Sequence, residues 1–267
     1  MLTARLLIPA LALSAIPLAA AAQELVPHRA AYTVTALEQG KPGVGTIGTY
    51  AYELQLTCDG SYLVHQRLRL EVDGPRAAVA TEQQSQMTES RNGRKLSFEH
   101  RTSSGRQSSV VKGEAVIGDD GKGEARFAEP EGQSVALPAG TLFPLAIARE
   151  TIRRADAGDS GFDARFFFGE KVKPPQTVNV VIGRVPRRLA DLKIPEGGEE
   201  LADGRRRIYY RAGFFDAEAK GQGEPAFEMS SVTLDNGIEL YGTHEESDGG
   251  IEYRITRLEP LAKPECK

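Results

Sequence analysis

Two cysteines and four histidines are the side chains of this 267-residue chain best suited to nucleophilic, redox or metal chemistry. The histidines are His28, His65, His100 and His244. None stands in an HExxH spacing, no CxxC pair exists, and no glycine-rich phosphate loop follows a strand pattern. His244-Glu245-Glu246 carries metal-ligand side chains, but in a stretch that reads as a solvated strand end. Gly158-Asp159-Ser160-Gly161 has the local form of a serine-protease nucleophile motif. That chemistry also needs a histidine base and oxyanion donors in a recognisable context. Phe162 stands where such motifs continue with glycine, and the glycines suit the end of a helix. The acid pairs Glu199-Glu200 and Glu245-Glu246 leave general acid–base work on glycans open, with no geometric constraint to support it. The sequence therefore predicts no catalytic residue, no metal site and no cofactor, and the expected class is non-enzymatic.

Cys58 and Cys266 have a different use. Residues 1–22 combine Arg5, an apolar run from Leu6 to Leu18 and the small residues Ala20-Ala21-Ala22. That is the pattern of a secretory signal peptide, with cleavage expected near Gln23. Pro9 and Pro17 interrupt the run, which is short for a membrane span. Export places both cysteines in an oxidising compartment, where an even pair reads as a disulfide. A Cys58–Cys266 bridge closes a loop of 209 residues, counting both ends. Loop-closure entropy sets an upper figure of roughly 5 kcal/mol for such a bridge. Cys58 shares the apolar parity of its strand, which predicts a partly buried bridge, shielded from small thiols and structural rather than redox-active.

These residues must be positioned by strands. After cleavage, residues 23–267 carry 32 basic and 37 acidic side chains, Arg5 being lost from the 33 basic residues of the full chain. The balance gives no footing for nucleic acid, and Arg205-Arg206-Arg207 reads as a solvated edge. Tyr50, Tyr52, Leu54, Leu56 and Cys58 alternate with polar residues over 48–58. Val64, Leu68, Leu70 and Val72 alternate with His65, Arg67, Arg69 and Glu71 over 62–72, and Asp59-Gly60-Ser61 turns the chain between the two strands. Similar patterns predict strands near 28–37, 77–89, 94–102, 106–114, 122–128, 163–170, 176–185, 187–193, 205–213, 227–234, 237–245 and 250–259. One helix is predicted over 142–157, capped by Thr141, with Pro144 in its first turn and Gly158 as its stop. Its apolar face is Leu145, Ala148, Ile152 and Ala155. The loop 194–204 is the longest break, yet short enough to belong to one mostly-β domain over 23–267. The expected fold is mainly β: a single curled antiparallel sheet with one short helix packed on one face.

Several short segments together resemble a known family. Leu25-Val26-Pro27-His28-Arg29-Ala30-Ala31-Tyr32, Tyr50-Ala51-Tyr52-Glu53, Phe143-Pro144, Leu234-Asp235-Asn236-Gly237 and the late Cys266 follow, in order and spacing, the pattern of the EipB family of alphaproteobacterial cell-envelope integrity proteins. The resemblance implies a periplasmic protein whose sheet curls into an incomplete, spiral-like barrel, with Cys58 and Cys266 as its disulfide. It implies a role in envelope integrity, without enzymatic activity, through other periplasmic or envelope proteins. Architecture alone relates the family to periplasmic carriers and sensors of lipoproteins. That analogy does not transfer a ligand; the alternative function is a carrier holding a lipid, acyl chain or apolar peptide in the curled sheet, against Tyr32, Tyr50, Tyr52, Phe166 and Phe168. One departure stands out. Phe166-Phe167-Phe168-Gly169-Glu170 replaces an expected Phe-Asp-Gly-Ser stretch, so a site using that aspartate is absent or different here. In the alternative reading Gly169 keeps a turn and Phe168 adds packing.

Overall fold

A computed structural model describes residues 24–38, 41–73, 78–217, 223–247 and 249–266; the leader segment 1–22 lies outside the described residues. Strands β1 (His28–Glu38), β2 (Lys41–Leu56), β3 (Tyr62–Asp73), β4 (Ala78–Glu89), β5 (Lys95–Ser104), β6 (Gln107–Ile117), β7 (Gly123–Glu129) and β8 (Gln133–Leu137) form one meander. After β9 (Thr141–Leu142) and helix α1 (Pro144–Ala157) come β10 (Gly161–Phe166), β11 (Gln176–Gly183) and the short helix α2 (Glu199–Ala202). The chain ends with β12 (Arg207–Phe215), β13 (Phe227–Leu234), β14 (Glu239–Glu246) and β15 (Gly249–Pro260). All fifteen strands share one sheet, ordered β8-β7-β6-β5-β4-β3-β2-β1-β15-β14-β13-β12-β11-β10-β9.

The first and last strands therefore lie side by side in mid-sheet, with His28 opposite Pro260 and Val34 opposite Tyr253. Every pairing is antiparallel except the brief β9–β10 contact. The two edge strands, β8 and β9, are consecutive in the chain, yet each pairs only with its other neighbour. The sheet thus curls until its edges approach across residues 138–140, leaving a seam, as the mainly-β, incomplete-barrel expectation required. The loop 194–204 does not divide it.

Helix α1 packs on the inner face. Phe143, Leu145 and Ile152 join Leu54, Tyr62, Val64, Met87, Leu96, Phe98, Phe127, Leu137 and, from the other half of the sheet, Ile208 in the largest buried cluster. Pro144 and Gly158 behave as the sequence implied; Gly158 adopts φ 79° and its N–H donates to the Ala155 carbonyl. The expected Thr141 cap does not form. The Thr141 hydroxyl donates to the Pro138 carbonyl at 2.6 Å. The helix N-terminus is instead met by Glu89, at the end of β4, whose carboxylate accepts the Leu145 N–H at 2.7 Å and a bond from the Ala146 N–H. Arg149, placed by its pattern on the polar face, is buried and donates to the same carboxylate at 3.1 Å. Ala148 is only half-buried.

Five elements differ from expectation. The predicted strand 187–193 is a 3-10 turn, Arg187–Leu189, followed by irregular chain. Its apolar positions Leu189 and Leu192 are spaced by three rather than two, and with Val185 they lie against Val232 and Tyr241. Strand β10 stops at Phe166 instead of running to 170. Gly169 turns the chain with φ 82°, and a Cβ there would stand 2.8 Å from the Phe98 ring. Strands β8 and β9 were too short for their alternation to register, and α2 is one turn within the expected loop.

Candidate functional site

The inner face of the sheet is not filled evenly along its length. On β3, inward Tyr62 and Val64 are buried, whereas Gln66, Leu68 and Leu70 are half-buried. On β4 the series runs from buried Glu89 and Met87 through half-buried Ser85 to exposed Gln83. On β5 it runs from buried Leu96, Phe98 and His100 to half-buried Thr102 and Ser104. On β6 it runs from Ile117, Ala115 and Gly113 to half-buried Val111. Four neighbouring strands change at matching heights because α1 covers only one end of the interior. The other end is a cup.

Two aromatic groups line this cup. Tyr32, Tyr50 and Tyr253 are in mutual contact, with ring centroids 5.1–5.7 Å apart. Tyr32 and Tyr253 are buried, while Tyr50, Tyr52 and Tyr210 are half-buried. The second group is a chain of rings through His100, Phe168, Phe166, Phe214, Phe227 and His244, with successive centroids 4.3–6.2 Å apart. Of the residues proposed from sequence to line a cavity, Tyr32, Tyr50 and Tyr52 fall in the first group and Phe166 and Phe168 in the second. Phe167, between them, is core. Phe168 packs on the main cluster and its carbonyl accepts a bond from His100 at 3.0 Å, so the departure at this stretch adds packing at a glycine turn.

At the floor of the tyrosine group stands Glu239, which sequence reasoning missed. Its Oε1 accepts a 2.6 Å bond from the Ser231 hydroxyl, and Tyr253 also bonds its carboxyl. The Tyr32 hydroxyl donates to the Glu239 backbone carbonyl at 2.9 Å. Strict alternation puts Glu239 on the outer face with Tyr241. A bulge intervenes: Val232 pairs with Tyr241 but Thr233 pairs with Glu239, so Leu240 is the extra residue and Glu239 swings inward. Burial pushes its carboxyl up to about 7, against the opposing bonds from Ser231 and Tyr253. Its charge adds to burial in raising the phenols of Tyr32, Tyr50, Tyr52, Tyr210 and Tyr253.

A stability prediction follows. Because the folded pKa is raised above the ordinary 4.5, the folded state holds the extra proton between about pH 4.5 and 7. Stability from this group is full below that window and falls as pH rises through it. Glu239→Gln should flatten that fall and raise the melting temperature at pH 8 by a few degrees relative to the unsubstituted protein. Calorimetry from pH 5 to 8 checks this; parallel curves would contradict it.

The remaining titratable groups are dispersed. His28 is buried, lowered in pKa by that burial, and bonds the Val26 carbonyl through Nδ1 at 2.8 Å. His100 is likewise lowered by burial and meets the Ser85 hydroxyl at 2.8 Å. His65 lies on the outer face of β3, and His244 stacks on Phe227 at 4.7 Å and meets Glu246 at 3.2 Å. No group of three or more metal-ligating side chains occurs among the described residues. Ser160 is exposed beyond α1, where its backbone carbonyl accepts a bond from the Ile182 N–H.

Cys58 and Cys266 form the expected disulfide, with Cα atoms 5.5 Å apart. Its setting does not match the expectation of partial burial: both cysteines are exposed. Strand β2 ends at Leu56, so Cys58 belongs to the turn and strand parity no longer governs it. The C-terminal tail leaves β15, crosses the start of β1, where Leu261 donates to the Pro27 carbonyl, and reaches the β2–β3 turn.

The profile of the EipB-like family matches residues 19–244. The chain belongs to the EipB-like family. It is 26% identical over 247 residues to the cell envelope integrity protein EipB of Brucella abortus (strain 2308), covering 90% of this chain and 86% of that one. The crystal structure of a β-barrel-like protein with a domain of unknown function, also from Brucella abortus, superposes with a TM-score of 0.76 at 23% identity. That match covers 90% of this EipB-like chain and all of the other, and shows that the curled sheet is a shared fold.

Proposed function

We propose that this EipB-like protein is exported, loses residues 1–22, and supports cell-envelope integrity from the periplasm as a single non-enzymatic binding unit over residues 23–267. The name of the Brucella relative supports the envelope role, and the disulfide supports an oxidising location. The observation that carries the binding reading is the cup: an inner face that changes from buried to half-buried at one height on four strands, where Leu68, Leu70 and Val111 stand among polar side chains, with the half-buried Tyr50, Tyr52 and Tyr210 on other strands of the same sheet. Such a surface suits a lipid, an acyl chain or an apolar peptide. Native mass spectrometry of protein isolated from the periplasm tests this. A co-purifying amphiphile displaced by Leu68→Arg supports it; a protein that neither carries nor takes up any amphiphile refutes it.

A second reading, contact with other envelope proteins, draws on the outer face. A groove of about 420 Å³ there is lined by Arg29, Glu53, His65, Arg67, Gln84, Gln86, Glu99 and Arg101 among others. These polar side chains suit a hydrated protein contact. Crosslinking from envelope extracts, repeated with Arg67→Glu, distinguishes the two readings. Neither assigns a role to Ser160, so Ser160→Ala should leave any envelope phenotype unchanged; a folded Ser160→Ala protein without function would return hydrolysis to consideration.

A further inference from the structure

Three carboxylates lie on or within the sheet away from bulk solvent, and two have cations. Glu89 has Arg149 at 3.1 Å. Glu252, on the outer face, has Arg254 at 2.7 Å and the Tyr241 hydroxyl at 2.9 Å. Glu239 has no ion-pair partner among the described residues; its bonded neighbours are Ser231 and Tyr253. A carboxylate placed inside a fold without a counter-cation is costly. This one is held inward by a bulge and faces five tyrosines, three of which are half-buried.

Ring faces carry the negative side of the aromatic quadrupole, and tyrosine cages around a carboxylate suit cations that need no hydrogen-bond acceptor. The donors nearest the carboxylate are already used. Ser231 and Tyr253 bond the carboxyl and Tyr32 bonds the backbone. With the carboxyl ionised, above about pH 7, what remains is negative potential and the tyrosine rings, bordered by the half-buried Leu68 and Leu70. From this we infer that the cup recognises an amphiphile with a quaternary ammonium head, the cation seated between Glu239 and the faces of Tyr50, Tyr52 and Tyr210, the apolar chain running along Leu68 and Leu70 toward the open end. The inference rests on the reading of the cup as a binding site and names its ligand class.

The chain contains no tryptophan, so tyrosine emission reports directly on the cage. The mature protein is titrated, below the micelle concentrations, with dodecyltrimethylammonium, dodecylammonium and dodecyl maltoside, followed by emission and calorimetry. The trimethylammonium probe should bind about ten-fold tighter than the maltoside, the scale of one or two partly exposed cation–π contacts. Glu239→Gln should remove that preference and leave maltoside affinity unchanged. Tyr210→Leu provides a second variant, with the same expected direction. Equal affinity for all three probes overturns the head-group inference while the cup stands. Dodecylammonium binding as tightly as the trimethyl probe overturns its quaternary character. Binding of none overturns the cup itself and the inference with it.

Discussion

Replacing Glu89 by alanine is expected to destabilise this protein by about 3–5 kcal/mol, the range for removing one partner of a buried ion pair. Two separate penalties meet at this position. Arg149 is buried and would lose its carboxylate at 3.1 Å. The N–H groups of Leu145 and Ala146 would lose their acceptor at the start of α1. Buried helix ends without partners are costly, and no side-chain cap exists to take over, since Phe143 occupies that position. Burial pushes the Glu89 carboxyl up to about 7 against the pull of Arg149, a sign that this site is already desolvated. In a chain of this size the loss corresponds to a melting temperature about 10 °C lower. Thr141→Ala is the control. Its hydroxyl serves the Pro138 carbonyl rather than the helix, so it should cost under about 1.5 kcal/mol. Thermal unfolding of both variants decides. A larger effect at Thr141 than at Glu89 would place the cap where the sequence pattern put it.

Reduction of the disulfide should act on the folded protein, without denaturant. Cys58 and Cys266 are both exposed, and the tail that carries Cys266 holds no regular structure. A small reductant should reach the sulfurs at native temperature, because exposed bridges are the labile ones. The stabilisation lost is expected at about 2–4 kcal/mol, since the bridge joins positions 208 residues apart. The melting temperature should fall by several degrees. The strand signal in circular dichroism should persist, because β1 and β15 remain paired in mid-sheet without the bridge. Thiol counting alongside thermal unfolding tests both parts. Thiols that stay unreactive until the protein unfolds would mean a shielded bridge; unchanged melting after reduction would remove its stabilising role.

Both results bear on what the curled sheet does. The Glu89–Arg149 pair anchors α1 at one end of the interior, and the tail is bridged to the β2–β3 turn. The opposite end is left with half-buried tyrosines and phenylalanines. The interior thus has two zones, one closed by a helix and one whose side chains stay partly accessible.

Much of this architecture is legible in the sequence because period-two alternation is local. Tyr62 to Asp73 alternates by itself, whatever it later pairs with, and the same holds for β13 to β15. The pairing of Cys58 with Cys266 needed only the count of two and the export expected from residues 1–22. Other features depend on neighbours distant in sequence. The short β8 and β9 are strands only because β7 and β10 offer them ladders. Residues 187–193 alternate weakly but lie on the outer face of β13 and β14, where no strand edge is free to pair. The helix cap comes from a strand residue more than fifty positions upstream, which no local pattern at Thr141 could reveal. A single bulge at Leu240 turns Glu239 from solvent to interior, since one inserted residue reverses the parity of what precedes it. The sequence alone thus determined the class of fold, the disulfide partners and the absence of a recognisable catalytic motif. Tertiary structure decided the exposure of that disulfide, the anchor of the helix and the carboxylate in its ring of tyrosines, because each arises where strands far apart in the chain are brought to one height of the barrel.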